Sequence, residues 1–206
     1  MEGGDRYAFW LYQFAGVDQL TGLSLYKFDD ERFYITSDDT SDGTVLYGTK
    51  EDAEGNAHTL MAATNYTIIN GAPYVWNPGS YGKKDWSGTA TPTAYGSFGL
   101  NVSWNGLSLS TLFTYSLGSK VYDGIYAGKM SVSANPSSVH KDALNGWTEA
   151  PVGMTVDSPK RIDPNGVPMI YTFSTYNDVS ISNNAGTSTR WLVSGNCLVV
   201  KNIALT

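Results

Sequence analysis

Hydrophobic and polar residues alternate most regularly between Tyr95 and Leu117. The alternation is interrupted at Asn105-Gly106, the dipeptide most typical of a two-residue type I′ turn, because both residues tolerate positive φ. A turn at these residues fixes the register of the flanking strands and places Trp104 opposite Leu107. The sequence therefore predicts a hairpin of two long antiparallel strands, Tyr95 to Trp104 and Leu107 to Leu117.

The two faces of this hairpin differ in chemistry, because successive side chains of a strand point to opposite sides. One face carries large apolar groups: Phe98, Leu100, Val102, Trp104, Leu107, Leu109, Phe113 and Tyr115. The other face carries small polar groups: Ser97, Asn101, Ser103, Ser108, Ser110 and Thr114. The sequence thus predicts a ribbon that seeks an apolar environment on one side only.

Strand length and charge favour a membrane as that environment. The predicted strands have ten and eleven residues, which matches the roughly 9–11 residues of a tilted transmembrane strand, whereas strands in soluble proteins average about 5–6. No Asp, Glu, Lys or Arg occurs from Trp86 to Ser119, although soluble surfaces usually carry charge at about a quarter to a third of positions. We therefore expect the apolar face to contact lipid and the polar face to line a lumen. A soluble β-sandwich that buries the apolar face against a second sheet remains open, because barrel alternation is a weak signal per segment.

Shorter elements are predicted elsewhere in the chain. A strand from Tyr7, a turn-rich stretch at Gly16–Gly22 and a returning strand through Leu23–Phe28 follow from the pattern of apolar and turn residues. Two short strands, Tyr66 to Ile69 and Pro73 to Trp76, flank Asn70-Gly71. The acidic stretch 29–56 and the region after Tyr122 are predicted to be mainly loop, with a helical turn at Val139 to Trp147.

Composition narrows the class of protein. The chain has 206 residues, a formal net charge of -6 and a pI near 4.7, which excludes a typical nucleic-acid binder. Charged residues make up only 16%, and Gly and Tyr are plentiful, which favours an all-β fold. The single Cys197 excludes an internal disulfide. Neither a signal peptide nor a run of about 18 apolar residues is present, so the chain is either a soluble cytosolic β protein or a piece of an exported one.

Candidate chemical sites are few. Asp38-Asp39-Thr40-Ser41-Asp42-Gly43 is similar to a calcium loop, but Thr49 stands where an EF-hand needs a bidentate Glu, so a solvated acidic loop is the expected structure. His58 and His140 lack neighbours at metal-ligand spacing. No nucleophile elbow, zinc helix or phosphate loop occurs. The sequence therefore predicts no enzyme, no cofactor and no metal.

Four aromatic residues precede the long hairpin in a Gly- and Pro-rich stretch: Tyr74, Trp76, Tyr81 and Trp86. Such rings stack on the apolar faces of sugars, and they also form aromatic girdles at membrane interfaces or pack loops. All three roles remain open from the sequence. Stacking on a ligand is the functional hypothesis for these residues.

Four blocks of the sequence resemble, in family order, the barrel of SusC/RagA-type TonB-dependent outer-membrane transporters. They are Ala15-Gly16-Val17-Asp18 with Thr21-Gly22-Leu23, the hairpin from Pro92 to Asp123, His140-Lys141-Asp142-Ala143-Leu144-Asn145 with Trp147-Thr148, and Arg190-Trp191-Leu192-Val193 with Leu198 and Lys201-Asn202-Ile203. The last block corresponds to a strand pair in that family. Ser194, Cys197 and Val199 depart from the family pattern there, which leaves the register of the 189–206 hairpin open.

The resemblance implies a fold, a location and partners. It implies that residues 1–206 form part of an antiparallel up-and-down transmembrane β-barrel with long extracellular loops, without the family's plug domain and its closing C-terminal strands. It implies a fragment of an importer of oligosaccharides or peptides in the outer membrane of a Gram-negative bacterium. The partners it implies are outer-membrane lipid, a SusD-like lipoprotein over the extracellular mouth, and TonB acting on the plug.

Overall fold

A computed structural model describes residues 5–31, 35–39, 45–47, 49–51, 57–59, 66–130, 138–169, 175–176, 179–180 and 187–206. Strands dominate it. In chain order they are β1 (Ala8–Tyr12), β2 (Phe14–Asp18), β3 (Ser24–Lys27), β4 (Ile35–Asp39), β5 (Val45–Tyr47), β6 (Thr49–Glu51), β7 (Ala57–Thr59), β8 (Tyr66–Ile69), β9 (Ala72–Val75), β10 (Lys84–Thr89), β11 (Ala94–Trp104), β12 (Leu107–Leu117), β13 (Lys120–Tyr122), β14 (Ile162–Asp163), β15 (Thr175–Tyr176), β16 (Val179–Ser180), β17 (Leu192–Ser194) and β18 (Cys197–Leu205). The helices are α1 (Pro78–Tyr81) and α2 (Gly124–Met130), with 3-10 turns at Lys141–Asn145 and Thr189–Trp191.

The chain forms two compact units. The hairpin unit comprises Met1–Trp10, Trp86–Asp123 and Leu192–Thr206, and the core unit comprises Leu11–Asp85 and Gly124–Trp191. Ten strand pairs of the described chain are antiparallel: β11–β12, β12–β18, β13–β17, β14–β2, β15–β16, β2–β3, β3–β9, β4–β5, β6–β7 and β8–β9. The expected all-β, antiparallel class is therefore confirmed.

The long hairpin has the predicted register. Strands β11 and β12 pair from Ala94 with Leu117 to Trp104 with Leu107. At the turn, Asn105 has φ 49° and Gly106 has φ 86°. Positive φ at both turn residues is the requirement that the Asn-Gly dipeptide satisfies. The pairing predicted from this dipeptide is confirmed.

A third strand, β18, extends the sheet of the hairpin unit to the order β11-β12-β18. Leu205 lies opposite Leu109 and Ile203 opposite Thr111, whereas beyond a register shift Val200 lies opposite Phe113. The shift leaves Lys201 outside the ladder, as an extra residue in a β-bulge. Because of the bulge, the even-numbered Val200 lies on the same face of the sheet as the odd-numbered Ile203 and Leu205.

The end of the chain differs from the expected strand pair. Strand β17 pairs with β13, through Val193 opposite Val121, whereas β18 pairs with β12. The two last strands are therefore not hydrogen-bonded to each other, and the 189–206 hairpin expected from the resemblance is wrong. The backbone between them is instead held to the preceding turn by Gly195 N, which donates to Ser119 O at 2.9 Å.

The core unit is built on a five-stranded sheet with the order β14-β2-β3-β9-β8. Strands β8 and β9 flank Asn70-Gly71, as predicted. The centre of the core unit is a buried cluster of Tyr26, Phe28, Tyr66 and Val75, and Tyr81 of α1 packs against this cluster. Every buried hydrophobic residue of the described chain belongs to this unit. The described hydrophobic side chains of the hairpin unit are instead exposed or half-buried.

Local structure agrees with one further expectation and differs from two others. The helical turn expected at Val139 to Trp147 is confirmed as the 3-10 turn Lys141–Asn145. The acidic stretch expected to be loop contains the paired strands β4 and β5, so that expectation is wrong in part. Helix α2 lies where loop was expected. It escapes the sequence pattern because its seven residues include Gly124 and Gly128, which are poor helix formers.

Candidate functional site

The apolar face of the hairpin unit is uncovered. In β11, Phe98 is 51% exposed, Leu100 55% and Val102 48%. In β18, Ile203 is 66% exposed and Leu205 67%. A contiguous apolar surface of this extent marks a contact with lipid or with another apolar body. The β-sandwich alternative requires these side chains to be buried against a second sheet, which the described chain does not do.

Contacts across the strands show which side chains share a face. The rings of Phe98 and Phe113 stack with centroids 5.0 Å apart and an interplanar angle of 16°. On the opposite face, the hydroxyls of Ser103 and Ser108 hydrogen-bond at 2.9 Å. The hairpin therefore has the apolar face and the polar face that alternation predicts. Assignment of these faces to lipid and to lumen stays a prediction.

Aromatic residues lie toward both ends of the apolar face. Trp104, 78% exposed, closes one end beside the turn. Toward the other end, Tyr115 lies opposite Gly96. A Cβ on Gly96 would lie 3.0 Å from the Tyr115 hydroxyl oxygen, so the glycine gives the tyrosine ring room to lie across the neighbouring strand. Aromatic side chains at both ends of an apolar band are typical of strands that cross a bilayer.

The four aromatic residues considered for ligand stacking have different surroundings. Tyr81 packs against the buried core cluster. Tyr74 pairs with Lys27 within the core sheet. In the hairpin unit, Trp86 is 46% exposed and its ring lies 4.9 Å from that of Trp10. Ligand contact by these rings and by Trp76 stays a prediction.

The first and third blocks of the family resemblance meet in the core unit. Asp18, fully buried at the end of β2, accepts hydrogen bonds from Leu20 N at 3.0 Å and from the Thr21 hydroxyl at 3.0 Å. Trp147 Nε1 donates to Gln19 O at 2.9 Å. The Asp, Thr and Gly of the first block thus lie in one turn, and the tryptophan of the third block closes over it.

A buried ion pair fixes this turn to β14. Arg161 donates from Nε to Asp18 Oδ1 at 2.9 Å and from Nη2 to Asp18 Oδ2 at 2.8 Å. The side chains are only 9% and 0% exposed. The hydrogen bonds to the Asp18 carboxylate raise the pKa of Arg161 above its usual value, against the opposing effect of burial. Such a bidentate pair orients both partners. Arg161 is a residue that sequence reasoning missed, because its partner lies far away in the chain.

Gly22 allows Trp147 to close over the turn, which gives a testable prediction. A Cβ on Gly22 would lie 2.3 Å from Trp147 Cε3, and Gly22 has φ +73°. Gly71 has a similar φ of +79°, but nothing lies within 4 Å of its Cβ position. We expect Gly22→Ala to lower the free energy of unfolding by about 2–4 kcal/mol, and Gly71→Ala by about 1 kcal/mol from backbone strain alone. Chemical denaturation measures both; equal losses would contradict the role given to Trp147.

Where the structure describes the residues considered for metal binding, they contact other groups of the protein. His140 begins the 3-10 turn, and its Nδ1 accepts from Asp142 N at 3.2 Å. Its ring lies edge-on to Tyr126, with centroids 4.9 Å apart. Within the described ranges, no group of three or more His, Cys, Asp or Glu side chains could hold a metal ion. In the calcium-loop hypothesis, residues 40–43 lie outside the described residues, as do the side chains of Asp38, Asp39 and His58.

The helices of the described part are all too short or too polar to cross a membrane.

Comparisons with known proteins give a structural similarity that bears on the fold. No family model and no curated protein matches the sequence. A chain in the structure of the RagAB peptide transporter is 20% identical, with a TM-score of 0.51 over 96% of this chain. A chain of the RagAB peptide importer in its "closed-closed" state is also 20% identical over 96% of this chain, with a TM-score of 0.46. This chain spans only 16% of the length of either chain. The first similarity shows that this chain folds like a part of that transporter chain.

Proposed function

We propose that the chain is a wall segment of an outer-membrane β-barrel that imports a nutrient. The observation that carries the proposal is the uncovered apolar face of β11, β12 and β18, on strands of 11, 11 and 9 residues. Strands of this length match the hydrocarbon core when tilted. A charge-free β11–β12 hairpin avoids the cost of placing ions in lipid, about 2–4 kcal/mol for Arg or Lys at the midplane. The fold similarity to a transporter supports the same function.

The proposal assigns the two faces of the sheet. The apolar face contacts lipid, and the polar face, with Ser97, Asn101 and Ser110, lines an aqueous lumen. Strand β18 adds Asn202 and Ala204 to the lumen side, since they pair with Leu112 and Ser110. We infer that residues 1–206 belong to one barrel domain and contribute wall, lumen lining and loops.

Cargo and partners belong to the same proposal. The fold neighbour transports peptides, and the resemblance of the four sequence blocks implies oligosaccharides or peptides, so both remain candidate cargo. A SusD-like lipoprotein at the extracellular mouth and energy from TonB follow from the same resemblance. The role is transport without catalysis, in agreement with the transporters among the structural neighbours.

A pair of adjacent spin labels tests the proposal. In a Cys197→Ser background, Leu100→Cys and Asn101→Cys each carry one nitroxide in protein reconstituted into lipid vesicles. We expect the label at residue 100 to collide mainly with oxygen, which concentrates in lipid, and the label at 101 mainly with a water-soluble nickel complex. The physical reason is that neighbouring residues of a strand point to opposite faces. Equal access of nickel to both labels would refute the membrane assignment.

A further inference from the structure

The core unit contains a cavity of about 390 Å³ that the wall function does not use. Its walls come from β2, helix α2, the turn after β14 and the 3-10 turn before β17. Its lining includes Phe14, Tyr126, Asn165, Thr189, Arg190 and Trp191. Its volume is within the range of small-ligand sites, and aromatic rings and polar groups share its lining.

One cation lies on the aromatic wall of the cavity. The Arg190 guanidinium carbon is 5.2 Å from the centroid of the Phe14 ring and 4.7 Å from that of the Trp191 ring. Tyr126 meets Trp191 edge-on at 5.7 Å and holds that ring in place. Burial lowers the pKa of Arg190, because a poorly hydrated site disfavours the charged form. An anion at this wall would restore part of the solvation that the guanidinium has lost.

Two neutral donors lie in the same lining. Thr189 Oγ1 accepts from Phe14 N at 3.0 Å, and the hydroxyl can still donate its own proton. Asn165 uses its backbone N–H to bond Asp163 Oδ1 at 2.9 Å, which leaves the side-chain amide for other partners. A guanidinium has five N–H donors, so Arg190 can serve a ligand oxygen in addition to its protein contacts. The cavity thus combines one positive charge with neutral donors.

The turn that forms one wall is held in a fixed position. A Cβ on Gly166 would lie 2.9 Å from Val17 Cβ, and one on Gly16 would lie 2.6 Å from Asp163 O. Backbone segments can approach this closely only because both residues are glycines. The Arg161–Asp18 ion pair fixes the same two strands from the other end of their contact. A wall held in this way is preorganised for a ligand.

We propose that the cavity binds a small carboxylate through Arg190, with an apolar or flat part of the ligand against Phe14 and Trp191. A planar carboxylate matches the planar guanidinium fork and needs one positive charge. A phosphate, with nearly two negative charges, is usually bound by more cations than this lining offers. Two sources share the chemistry: the C-terminal carboxylate of a peptide and the carboxylate of an acidic sugar. The proposal rests on the core unit alone, so it stands or falls separately from the membrane assignment.

Two matched ligand pairs test the proposal by isothermal titration calorimetry on the complete chain in detergent. N-acetylphenylalanine is compared with its amide, and methyl glucuronide with methyl glucoside. We expect at least one acid to bind about tenfold or more tightly than its neutral counterpart, since hydrogen bonds to charged groups contribute about 1.5–3 kcal/mol. The acid with the larger ratio identifies the source of the carboxylate.

Three variants locate the site. Arg190→Gln should reduce the affinity for the acid to that of its neutral counterpart. Asn165→Asp, at an exposed turn position, should weaken acid binding severalfold by like-charge repulsion without disturbing the fold. Lys84→Gln is the matched control, because Lys84 also lies over a ring, 4.4 Å from that of Tyr12, but does not line the cavity; it should change nothing. The proposal is overturned if neither acid binds, if acid and neutral counterpart bind equally, or if Asn165→Asp leaves acid binding unchanged.

Discussion

Asp18→Asn is expected to lower the free energy of unfolding by about 3–5 kcal/mol, the usual cost of leaving one member of a buried ion pair without its partner. The amide retains the size of the carboxylate and can still accept from Leu20 N. However, its NH₂ group then faces Arg161 Nη2, so two donors meet where one bond of 2.8 Å existed. Denaturation of the protein in detergent, followed by tryptophan fluorescence, measures the loss.

An exposed ion pair of the same unit provides the control. Asp30 accepts from Lys83 Nζ at 3.5 Å, but its side chain is 74% exposed. Asp30→Asn should change the free energy of unfolding by less than about 0.5 kcal/mol, because exposed pairs contribute little. The joint replacement of Asp18 and Arg161 by Leu and Met should recover part of the stability lost in Asp18→Asn. A loss of the same size at Asp18 and Asp30 would show that burial does not decide the strength of the pair.

Leu100→Arg is expected to destabilise the membrane-inserted protein by about 2–4 kcal/mol, the cost of an Arg on the lipid face of a barrel near the bilayer midplane. Leu100 lies midway between Trp104 and the Gly96 position opposite Tyr115, so it lies near the middle of the apolar band. Folding into lipid vesicles, titrated with urea, measures the change.

The neighbouring residue gives a control that differs only in facing. Asn101, opposite Ser110, occupies almost the same depth on the polar face. Asn101→Arg should leave the folding free energy within about 0.5 kcal/mol of the parent, because water solvates the guanidinium there. If both substitutions cost the same, the two faces have not been assigned correctly.

How far the sequence predicted this fold depended on whether the deciding contacts were local. The hairpin could be predicted because Asn105-Gly106 sets the turn, and the turn sets every pair of the ladder. Strands β8 and β9 could be predicted for the same reason around Asn70-Gly71. The bulge at Lys201 could not, because alternation within β18 does not show which partner strand the residue must match.

The sites show the same limit. The apolar face followed from period-two alternation, which is a property of the chain alone. The Asp18–Arg161 pair joins residues 143 positions apart, and the bond between Phe14 and Thr189 at the cavity spans 175 positions. No local pattern encodes such distances. The resemblance marked Asp18, Trp147 and Arg190 as members of separate blocks, but only the fold shows that Trp147 lies against the turn that begins at Asp18.

The extra residue in β18 affects the shape of the whole sheet. Without Lys201, the segment from Leu198 to Leu205 would alternate perfectly and could lie in a flat ladder, with the same side chains on each face. With Lys201, β18 has one residue more than the part of β12 with which it pairs. The strand takes up the extra residue by bending and by a stronger twist. The sequence of this three-stranded sheet therefore already encodes curvature, at the one position where the register between β12 and β18 shifts.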